Sequence, residues 1–399
     1  MAKKQQHEAE EKQNNVVDMA EFRRKQFKLK ARSVIAWTVL IVILLVAGVV
    51  FLHDYLNKVY ETMEVTSVVD WKPTTGAVIL PYGSDFVSYS SDGIHCTNAK
   101  GQDIWSFSYV MQDPMVEVNG DYVAVADRGG RNIYIYDRTG MIGEISSPSP
   151  VQMLRMSAGG VVAAVLDDTN ITPVYLYYHD GTTISYFRTT MSQSGYPSAI
   201  GISDNGRLVG ISFLYVDNGR ITSRVAFYNF GEVGKNETDN FVSGHEYPNE
   251  LVPMVEFLDD DTAFAVGNDR MMIYEGSQRP TSISENYLQE EVRSVYHGDG
   301  HVGLVYYDKS GQSKYVCDVY DQKGEKNCSI YFDIDYKEIR FSGDQMIIYN
   351  SSSCEIYTVK GKFKYKGNFE DSVYLMLPGS SPHSYVLVTD GGLKTVRLK

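Results

Sequence analysis

From Val65 onward the chain repeats one pattern, and this repeat limits the folds open to it more than any other feature. Each unit has an apolar strand, a short Asp/Asn/Gly turn, a second apolar strand and a polar turn, often of the form D-x-x-G. Successive units lie about 37 to 51 residues apart, a spacing typical of β-propeller blades. The second strand and its turn recur at Ile94–Gly101, Ile133–Gly140, Val174–Gly181, Val225–Gly231, Met271–Ser277, Tyr315–Gly324 and Glu355–Gly361.

The last unit of the repeat is one strand short, which predicts how the fold closes. Ser384–Lys399 ends where the outermost strand of an eighth blade should follow, and Glu64–Trp71 is a strand-like stretch without a partner in the pattern. Pairing the two would remove an exposed sheet edge, which an open ring would have to protect. We therefore predict an all-β fold, a β-propeller of eight blades over residues 64–399. Seven blades followed by a tail, and two stacked β-sandwiches, are the alternatives.

A second feature precedes the repeat: the apolar run Ser33–Leu52, which contains no charge and no proline. At 1.5 Å of rise per residue, a helix of this length matches the roughly 30 Å hydrocarbon core of a bilayer. A cleaved signal peptide is the alternative, but its apolar region is usually about 7 to 15 residues long. The run therefore predicts a single-pass transmembrane helix that anchors the propeller in the cell membrane.

The charges on either side of the run predict its orientation. Residues 1–32 carry nine Lys/Arg and five Asp/Glu, whereas residues 53–399 carry 28 and 45. Because Lys and Arg are retained on the cytoplasmic side, the basic tail, 1–32, is predicted to be cytoplasmic and the propeller extracytoplasmic. Apolar residues at helical spacing continue past the run, so residues 53–63 are predicted to form a helical stalk.

The acidic balance of the region after the run also bears on its partners. A nucleic-acid surface needs basic side chains to neutralise phosphates, and this region is short of them. We therefore expect a protein or a cell-envelope polymer as partner, and no nucleic acid. The sequence sets no oligomeric state.

All four cysteines, Cys96, Cys317, Cys328 and Cys354, follow the apolar run, where disulfides are permitted. Cys317 and Cys328 flank the turn Asp321–Gly324, whose midpoint is also theirs. A hairpin symmetric about that point would place the two opposite each other, where a cross-strand disulfide could form, and the sequence leaves open whether it does. Two buried free thiols are the alternative.

The sequence contains no local catalytic motif. It has no G-x-S-x-G elbow, no H-E-x-x-H, no phosphate-binding P-loop and no G-x-G-x-x-G that opens a helix. His297 and His301 have i,i+4 spacing, but the glycines between them predict a turn between strands. Two acidic stretches lack the spacing of a calcium-binding loop. They are Asp259–Asp261 and the pair Asp333 and Asp335, and their carboxylates are expected to lie in solvated turns. We predict no catalytic residue, no cofactor and no metal ligand.

Tyrosine is abundant, with 30 residues in the chain. It fits a pleated, half-buried surface and keeps a polar tip, so packing between blades is its expected role. A tyrosine-rich face could also bind glycans or peptides, and this alternative stays open. Several tyrosines fall within predicted strands: Tyr134, Tyr136, Tyr175, Tyr177, Tyr306 and Tyr307.

One blade carries the most specific repeat signature. Asp92–Phe107, DGIHCTNAKGQDIWSF, resembles the repeat of PQQ-type propellers, in which a turn of the form D-x-x-x-G-x-x-x-W ends each blade, and Trp105 matches. Later blades lack the Trp, and neither the adjacent Cys pair nor the Trp under the quinone of PQQ dehydrogenases is present, so the resemblance implies the fold and not the cofactor. The whole layout resembles an uncharacterised family of single-pass membrane proteins of Gram-positive bacteria with a degenerate PQQ-like or WD40-like propeller, which implies no activity.

Together these features predict a membrane-anchored, extracytoplasmic β-propeller that acts as a non-catalytic binding or scaffolding module for a protein or cell-envelope ligand. One alternative is a propeller enzyme of hydrolase or lyase type with its site at the central channel. Another is a sensor that signals through the short cytoplasmic tail. Clustered ionisable side chains with shifted pKa values at the channel mouth would favour the enzyme. An apolar or aromatic patch on one face would favour the binding module.

Overall fold

The computed structural model describes residues 19–168, 171–189, 194–217, 219–381 and 383–399, with the side chains of 20–21, 26, 28–36 and 51–56 outside the description. The chain divides into two units, one ending at Lys58 and one spanning Val59–Lys399. Residues 1–18 of the predicted cytoplasmic tail lie outside the described residues.

The first unit contains one long helix, α1, from Met19 to Asn57. In the middle of the apolar run, residues 37–50 are all exposed, whereas the side chains of 33–36 and 51–52 lie outside the description. The stretch 37–50 is shorter than the roughly 20 residues that a bilayer requires. Within the described part of the chain, no helix is long and apolar enough to cross a membrane. The anchor therefore stays a prediction.

The structure differs from the predicted stalk at its C-terminal end. Helix α1 ends at Asn57, and Tyr60 belongs to the β unit, where it is buried. The backbone N–H of Tyr60 donates to the carbonyl of Lys364 at 2.8 Å, and its ring centroid lies 4.8 Å from that of His383. Residues 53–63 are therefore not one helix, because the chain already packs into the β unit at Tyr60.

Over the described residues, the β unit consists of eight sheets of four antiparallel strands, here called blades 1 to 8. The first strand of the chain, β1 (Met63–Val69), belongs to blade 8. Strands β2 to β17 then form blades 1 to 4, four to a blade. Their bounds are β2 Val78–Tyr82, β3 Asp85–Ser90, β4 Gly93–Thr97, β5 Asp103–Ser108, β6 Pro114–Asn119, β7 Tyr122–Asp127, β8 Asn132–Asp137, β9 Gly140–Ser146, β10 Val151–Met156, β11 Val161–Leu166, β12 Thr172–Tyr178, β13 Thr183–Thr189, β14 Tyr196–Ile202, β15 Leu208–Asp217, β16 Arg220–Asn229 and β17 Phe241–Pro248.

Two short 3₁₀ helices, Gly234–Asn236 and Thr238–Asn240, connect β16 to β17. Strands β18 to β32 complete blades 5 to 8 in the same order. Their bounds are β18 Met254–Phe257, β19 Thr262–Val266, β20 Arg270–Glu275, β21 Thr281–Tyr287, β22 Ser294–Gly298, β23 His301–Tyr307, β24 Tyr315–Tyr320, β25 Lys326–Phe332, β26 Glu338–Ser342, β27 Gln345–Tyr349, β28 Ser353–Thr358, β29 Phe363–Asn368, β30 Val373–Pro378, β31 Ser384–Thr389 and β32 Gly392–Leu398.

The predicted closure of the ring is confirmed. Blade 8 has the strand order β1-β32-β31-β30, so the first strand of the β unit pairs with the last. The register places Met63 opposite Leu398 and Val69 opposite Leu393. The eight-bladed prediction is therefore correct, and neither the seven-bladed ring nor the two sandwiches describes the chain.

The core lies between the blades. The second strand of a blade packs on both faces, and β11, β19 and β31 are buried at every position. This burial explains why these strands appear in the sequence as continuous apolar runs rather than as alternating ones. The clusters of buried side chains join adjacent blades, for example β11 and β12 with β14 to β16.

The D-x-x-G turns connect third to fourth strands, as the repeat predicts. In the turn before Gly324, the Asp321 carboxylate accepts hydrogen bonds from the backbone N–H groups of Lys323 and Glu325, each at 2.9 Å. Gly324 has φ of 77°, a conformation that strains residues with a Cβ. A register shift follows the turn in the third-to-fourth ladder of every blade from 1 to 7.

This register shift decides against the cross-strand disulfide, one of the two alternatives that the sequence leaves open. Cys317 lies opposite Ile330 and Cys328 lies opposite Val319, so the two thiols are diagonal rather than facing. Diagonal positions are about 7 to 8 Å apart, beyond the usual reach of a disulfide. All four cysteines are free, and only Cys328 is not fully buried.

Candidate functional site

Several cavities in the described part of the propeller are lined by polar side chains, and two of them bear on function. The first is at the centre, where the first strands of neighbouring blades contact one another. A pocket of about 440 Å³ lies among the first strands of blades 2 to 6. The ionisable side chains in its wall are Glu117, Arg155, Asp204, Glu256 and His297.

Arg155 joins three blades across this channel pocket. Its Nη1 donates to Glu117 Oε1 at 2.9 Å, and its Nη2 donates to Glu256 Oε1 at 2.7 Å. Four residues occupy matching positions on the first strands of their blades, as their partners on the second strands show. They are Glu117, Arg155, Gly201 and Glu256, and their partners are Ala124, Ala163, Gly210 and Phe264 respectively. A Cβ at position 201 would lie 2.7 Å from the carbonyl oxygen of Val255, so glycine there permits the close approach of β14 to β18.

Burial shifts the titration of several of these groups. It raises the pKa of Glu117 to about 7, against the opposing effect of the Arg155 charge. Burial also raises the pKa of Asp204, with further contributions from nearby carboxylates, and lowers the pKa of His297. The pocket can therefore exchange a proton near neutral pH at Glu117, but the guanidinium of Arg155 is bound by two carboxylates.

The second place is on blades 5 and 6. A pocket of about 780 Å³ and one of about 400 Å³ share Leu288, Gln289, Glu290 and Lys309 in their walls. We call the smaller pocket the tyrosine groove, because three tyrosines with exposed rings line it. They are Tyr287, Tyr307 and Tyr331, with exposed fractions of 65%, 54% and 42%.

Arginine side chains hold two of these rings in place. The guanidinium of Arg270 lies 4.7 Å from the ring centroid of Tyr287, and that of Arg293 lies 4.7 Å from that of Tyr307. Such cation–π contacts are worth about 0.5 to 1 kcal/mol at exposed sites. Both rings remain more than half exposed, but they lie on different faces: Arg270 also lies over Tyr247 of blade 4, and Arg293 also lies over Tyr315 of blade 6.

Most other strand tyrosines pack as predicted. Tyr136 and Tyr177 are buried, as is Tyr306. The ring of Tyr136 stacks on Trp105 with centroids 4.8 Å apart. Trp105, the residue of the PQQ-type resemblance, therefore packs against blade 2. Of the six strand tyrosines singled out in the sequence, Tyr307 is the exposed one, and its exposure supports the open alternative of a tyrosine-rich binding face.

The histidines and aspartates that could have been metal ligands lie in turns or in the wall of the channel pocket. Gly298 pairs with His301 across a turn between β22 and β23, as the glycines predict. His297 lies in the channel pocket, 5.2 Å from the ring of Phe264. Asp259 accepts from the backbone N–H groups of Asp261 and Thr262, at 2.8 and 2.7 Å.

The carboxylates in the turns near β24 are also bound by neighbouring groups of the fold. Asp333 accepts from the backbone N–H of Lys314 at 2.8 Å, and Asp335 forms an ion pair with the Lys314 ammonium. Across the residues that the structure describes, no three His, Cys, Asp or Glu side chains are placed to hold a metal ion.

Sequence reasoning missed the channel cluster. Arg155 and Glu256 are 101 positions apart, so no local motif links them. The available signal was a charge in the middle of an otherwise apolar first strand, as in VQMLRM of β10 and MVEF of β18. An alignment of the first strands would have placed these charges at one level of the ring.

Comparison with known proteins shows similarity in fold. The family model described as "Family of unknown function (DUF5711)" matches residues 56–398. No curated protein sequence matches the chain significantly. Among solved structures, the computationally designed Ika8 protein is 12% identical with a TM-score of 0.52, covering 82% of this chain and 98% of that one.

Two natural proteins of known structure are similar to nearly the same degree. Sqt1 of Saccharomyces cerevisiae is 9% identical with a TM-score of 0.50, covering 86% of this chain and 99% of that one. A eukaryotic initiation factor is 13% identical with a TM-score of 0.50, covering 84% and 91%. At such low identity these structures support the fold alone. The family description names neither a membrane nor a source, so those parts of the predicted resemblance stay predictions.

Proposed function

The chain belongs to the DUF5711 family, whose function is unknown, and from its geometry we propose that it is a membrane-anchored, extracytoplasmic binding module. Its propeller holds a protein or a cell-envelope polymer without changing it chemically. The observation that carries this proposal is the tyrosine groove, a cavity of about 400 Å³ on blades 5 and 6 that has the exposed ring of Tyr331 on its sheet face. Aromatic side chains supply large contact area and a polar tip, and they are enriched at binding surfaces.

The channel pocket supports binding or structure better than catalysis. Arg155 donates to a carboxylate on either side, so its guanidinium can bind a substrate anion only by giving up one of these partners. The paired side chains are partly buried, with exposed fractions between 16% and 32%. The cluster therefore ties blades 2, 3 and 5 together.

A hydrolase or lyase acting in the channel is the second candidate, and one observation favours it. Burial raises the pKa of Glu117 to about 7, where a carboxyl group can serve as a general acid or base. If the wild-type protein releases its bound ligand chemically altered and Glu117→Gln releases it intact, the channel is catalytic. An unaltered ligand in both cases supports the binding module.

The binding proposal is tested by photo-crosslinking from the anchored full chain in its native membrane. A benzophenone amino acid replaces Tyr331 in the groove, and in a matched control it replaces Tyr178, which is 49% exposed on blade 3. We expect a discrete crosslinked product from the groove position that the control does not give. Identical products from both positions, or none from the groove, would refute the groove as the binding site.

The anchor and its orientation form the second part of the proposal. The apolar side chains of residues 37–50 are exposed, which in water is unfavourable and in lipid is not. Epitope tags at each terminus test this. In protoplasts, antibody should reach the C-terminal tag without permeabilisation and the N-terminal tag only after it. Release of the protein from membranes by carbonate washing would contradict the anchor.

A further inference from the structure

A free strand edge runs down the outside of each blade. Over the described residues, the outermost strand pairs with a neighbour on one side only, so its other side carries backbone N–H and C=O groups that can pair with another chain. Proteins protect such edges with charged side chains. Charged residues lie inside five of the eight outermost strands, namely β9, β13, β17, β21 and β29, whereas β1, β5 and β25 have a charge only at their first or second residue.

Strand β25 combines its free edge with a cavity. Three of its side chains, Lys326, Ser329 and Tyr331, line the tyrosine groove of about 400 Å³. Strand β1 borders a smaller cavity of about 110 Å³, and a bulge between Val65 and Ser67 interrupts its pairing. Strand β5 borders neither cavity. Of the three weakly charged edges, β25 therefore has the most room beside it for the side chains of a ligand.

The tyrosine groove lies on one face of the sheet that ends in β25. Ser329 and Tyr331 are two apart on the strand and share this face. Ile330, between them, points to the opposite face, where it is 2% exposed and packs with side chains of β26 and β27 in blade 7. The groove face is therefore the open one. Because an added strand would continue the pleat, every second side chain of it would point into the groove.

The groove carries one excess negative charge. Three carboxylates and two ammonium groups line it, from Glu290, Asp308, Asp318, Lys309 and Lys326. Lys309 forms an ion pair with Glu290, and Lys326 lies 3.3 Å from the carboxylate of Asp318. Asp308 accepts hydrogen bonds from its own turn, and among the described residues it forms no ion pair. The groove therefore favours a cationic side chain over an anionic one.

Asp318 is placed to receive that cation. It lies on β24 directly opposite Ser329 of β25, and its side chain is 18% exposed. Its Oδ1 accepts from the Ser329 hydroxyl at 2.6 Å, while the Lys326 ammonium is 3.3 Å from Oδ2, longer than the usual charge-assisted bond of about 2.7 to 2.9 Å. Since a carboxylate has about four acceptor sites, Asp318 can bind a further donor beside the free edge.

We propose that β25 binds an extended peptide segment of a partner protein as a fifth strand of blade 6, with a Lys or Arg side chain of that segment bonded to Asp318. This inference rests on the proposed function, since it names the ligand class of the same groove. The free edge selects an extended polypeptide, because another backbone supplies N–H and C=O groups at strand spacing. The excess negative charge selects a basic side chain. An anionic envelope polymer matches neither feature.

Hydrogen–deuterium exchange of the full-length protein in lipid nanodiscs tests the strand addition. The probe is the blocked heptapeptide Thr-Val-Thr-Lys-Thr-Val-Thr at millimolar concentration. Because alternate N–H groups of an edge strand point outward, we expect about half of the seven backbone amides of Lys326–Phe332 to exchange more slowly with the probe. The matched control is the outermost strand of blade 1, Asp103–Ser108, which should not change. The same heptapeptide with every backbone nitrogen methylated should protect neither strand.

Isothermal titration calorimetry tests the charge. A probe with Glu in place of its Lys should bind about tenfold more weakly, and Asp318→Asn should weaken binding of the Lys probe about tenfold. The matched control is Glu246→Gln, which removes an acidic side chain from another outermost strand and should leave binding unchanged. Thermal melts show whether both variants are folded, and the comparison of Lys and Glu probes on the wild-type protein requires no variant.

Three results would overturn the inference: unchanged exchange in Lys326–Phe332, equal protection of Asp103–Ser108, or equal protection by the methylated peptide. Equal affinity of the Lys and Glu probes for the wild-type protein would do the same. If crosslinking at Tyr331 captures a partner while no probe protects β25, the peptide inference fails and the binding module stands. If the crosslinking fails as well, the proposed function is removed with it.

Discussion

Removing the last strand of the chain should break the ring of blades. Deletion of Leu393–Lys399 takes away most of β32, which lies between β31 and β1 in blade 8. Its apolar side chains Leu393, Val396 and Leu398 are buried, with exposed fractions of 1%, 1% and 4%. The deletion also exposes an edge of β31, which is buried at all six positions. An apolar strand with an open edge is an aggregation site.

The size of the effect follows from the buried side chains. Losing a buried aliphatic side chain costs about 2 to 5 kcal/mol, so three cost about 6 kcal/mol or more. Native domains are stable by only about 5 to 15 kcal/mol. The truncated propeller unit, Val59–Lys399, should therefore melt far below the intact one or aggregate.

A single substitution gives a graded version of the same test. Val396 is 1% exposed and lies opposite Val65, so Val396→Ala should cost about 2 kcal/mol. For a unit of this size that lowers the Tm by about 3 °C. The matched control is Val68→Ala, in the neighbouring strand of the same sheet but 59% exposed. It should change the Tm by about 1 °C or less.

Differential scanning calorimetry measures all three variants against wild type. A truncated unit that melts within a degree or two of the intact one would show that the β1–β32 pairing does not hold the ring closed. The burial argument would equally be refuted if Val68→Ala cost as much as Val396→Ala.

Three further predictions concern single side chains. Burial raises the pKa of the Cys96 thiol to about 12, and Cys317 and Cys354 are buried and free, so a thiol reagent should titrate four cysteines in denaturant and few in the native protein, and reductant should leave the Tm unchanged. Because burial raises the pKa of Glu117 to about 7, the fold favours its protonated form and stability falls as pH rises from about 4.5 to 7; Glu117→Gln should therefore show a smaller drop in Tm between pH 5 and pH 8 than wild type, and an equal drop would contradict this. The Glu250 side chain is 1% exposed and lies 2.9 Å from Arg270, so Arg270→Ala should cost about 3 to 5 kcal/mol in chemical denaturation, whereas Arg224→Ala, which breaks the exposed pair with Glu246, should cost about 1 kcal/mol or less.

The fold was largely predictable because a propeller blade is built from neighbouring hairpins. The apolar strands and the Asp and Gly residues of their turns are local signals, and they recur often enough to count blades. The pairing of β1 with β32, the first and last strands of the β unit, was also predictable. A ring with one missing strand and one unpaired strand has a single way to remove both edges. The register between β24 and β25, which carry Cys317 and Cys328, was not predictable. A one-residue bulge after the turn shifts every residue pair beyond it.

The two candidate sites were likewise predictable from the sequence only in part. The sequence by itself determined the blade period, the closure, the abundance of tyrosine and the absence of local catalytic motifs, because each depends on residues that are close along the chain or on composition. Only the tertiary structure decided which tyrosines are exposed, since Tyr306 and Tyr307 are adjacent on β23 and face opposite sides of the sheet. It alone brought Glu117, Arg155 and Glu256 into contact, because the ring places first strands of different blades around one axis regardless of their separation in sequence.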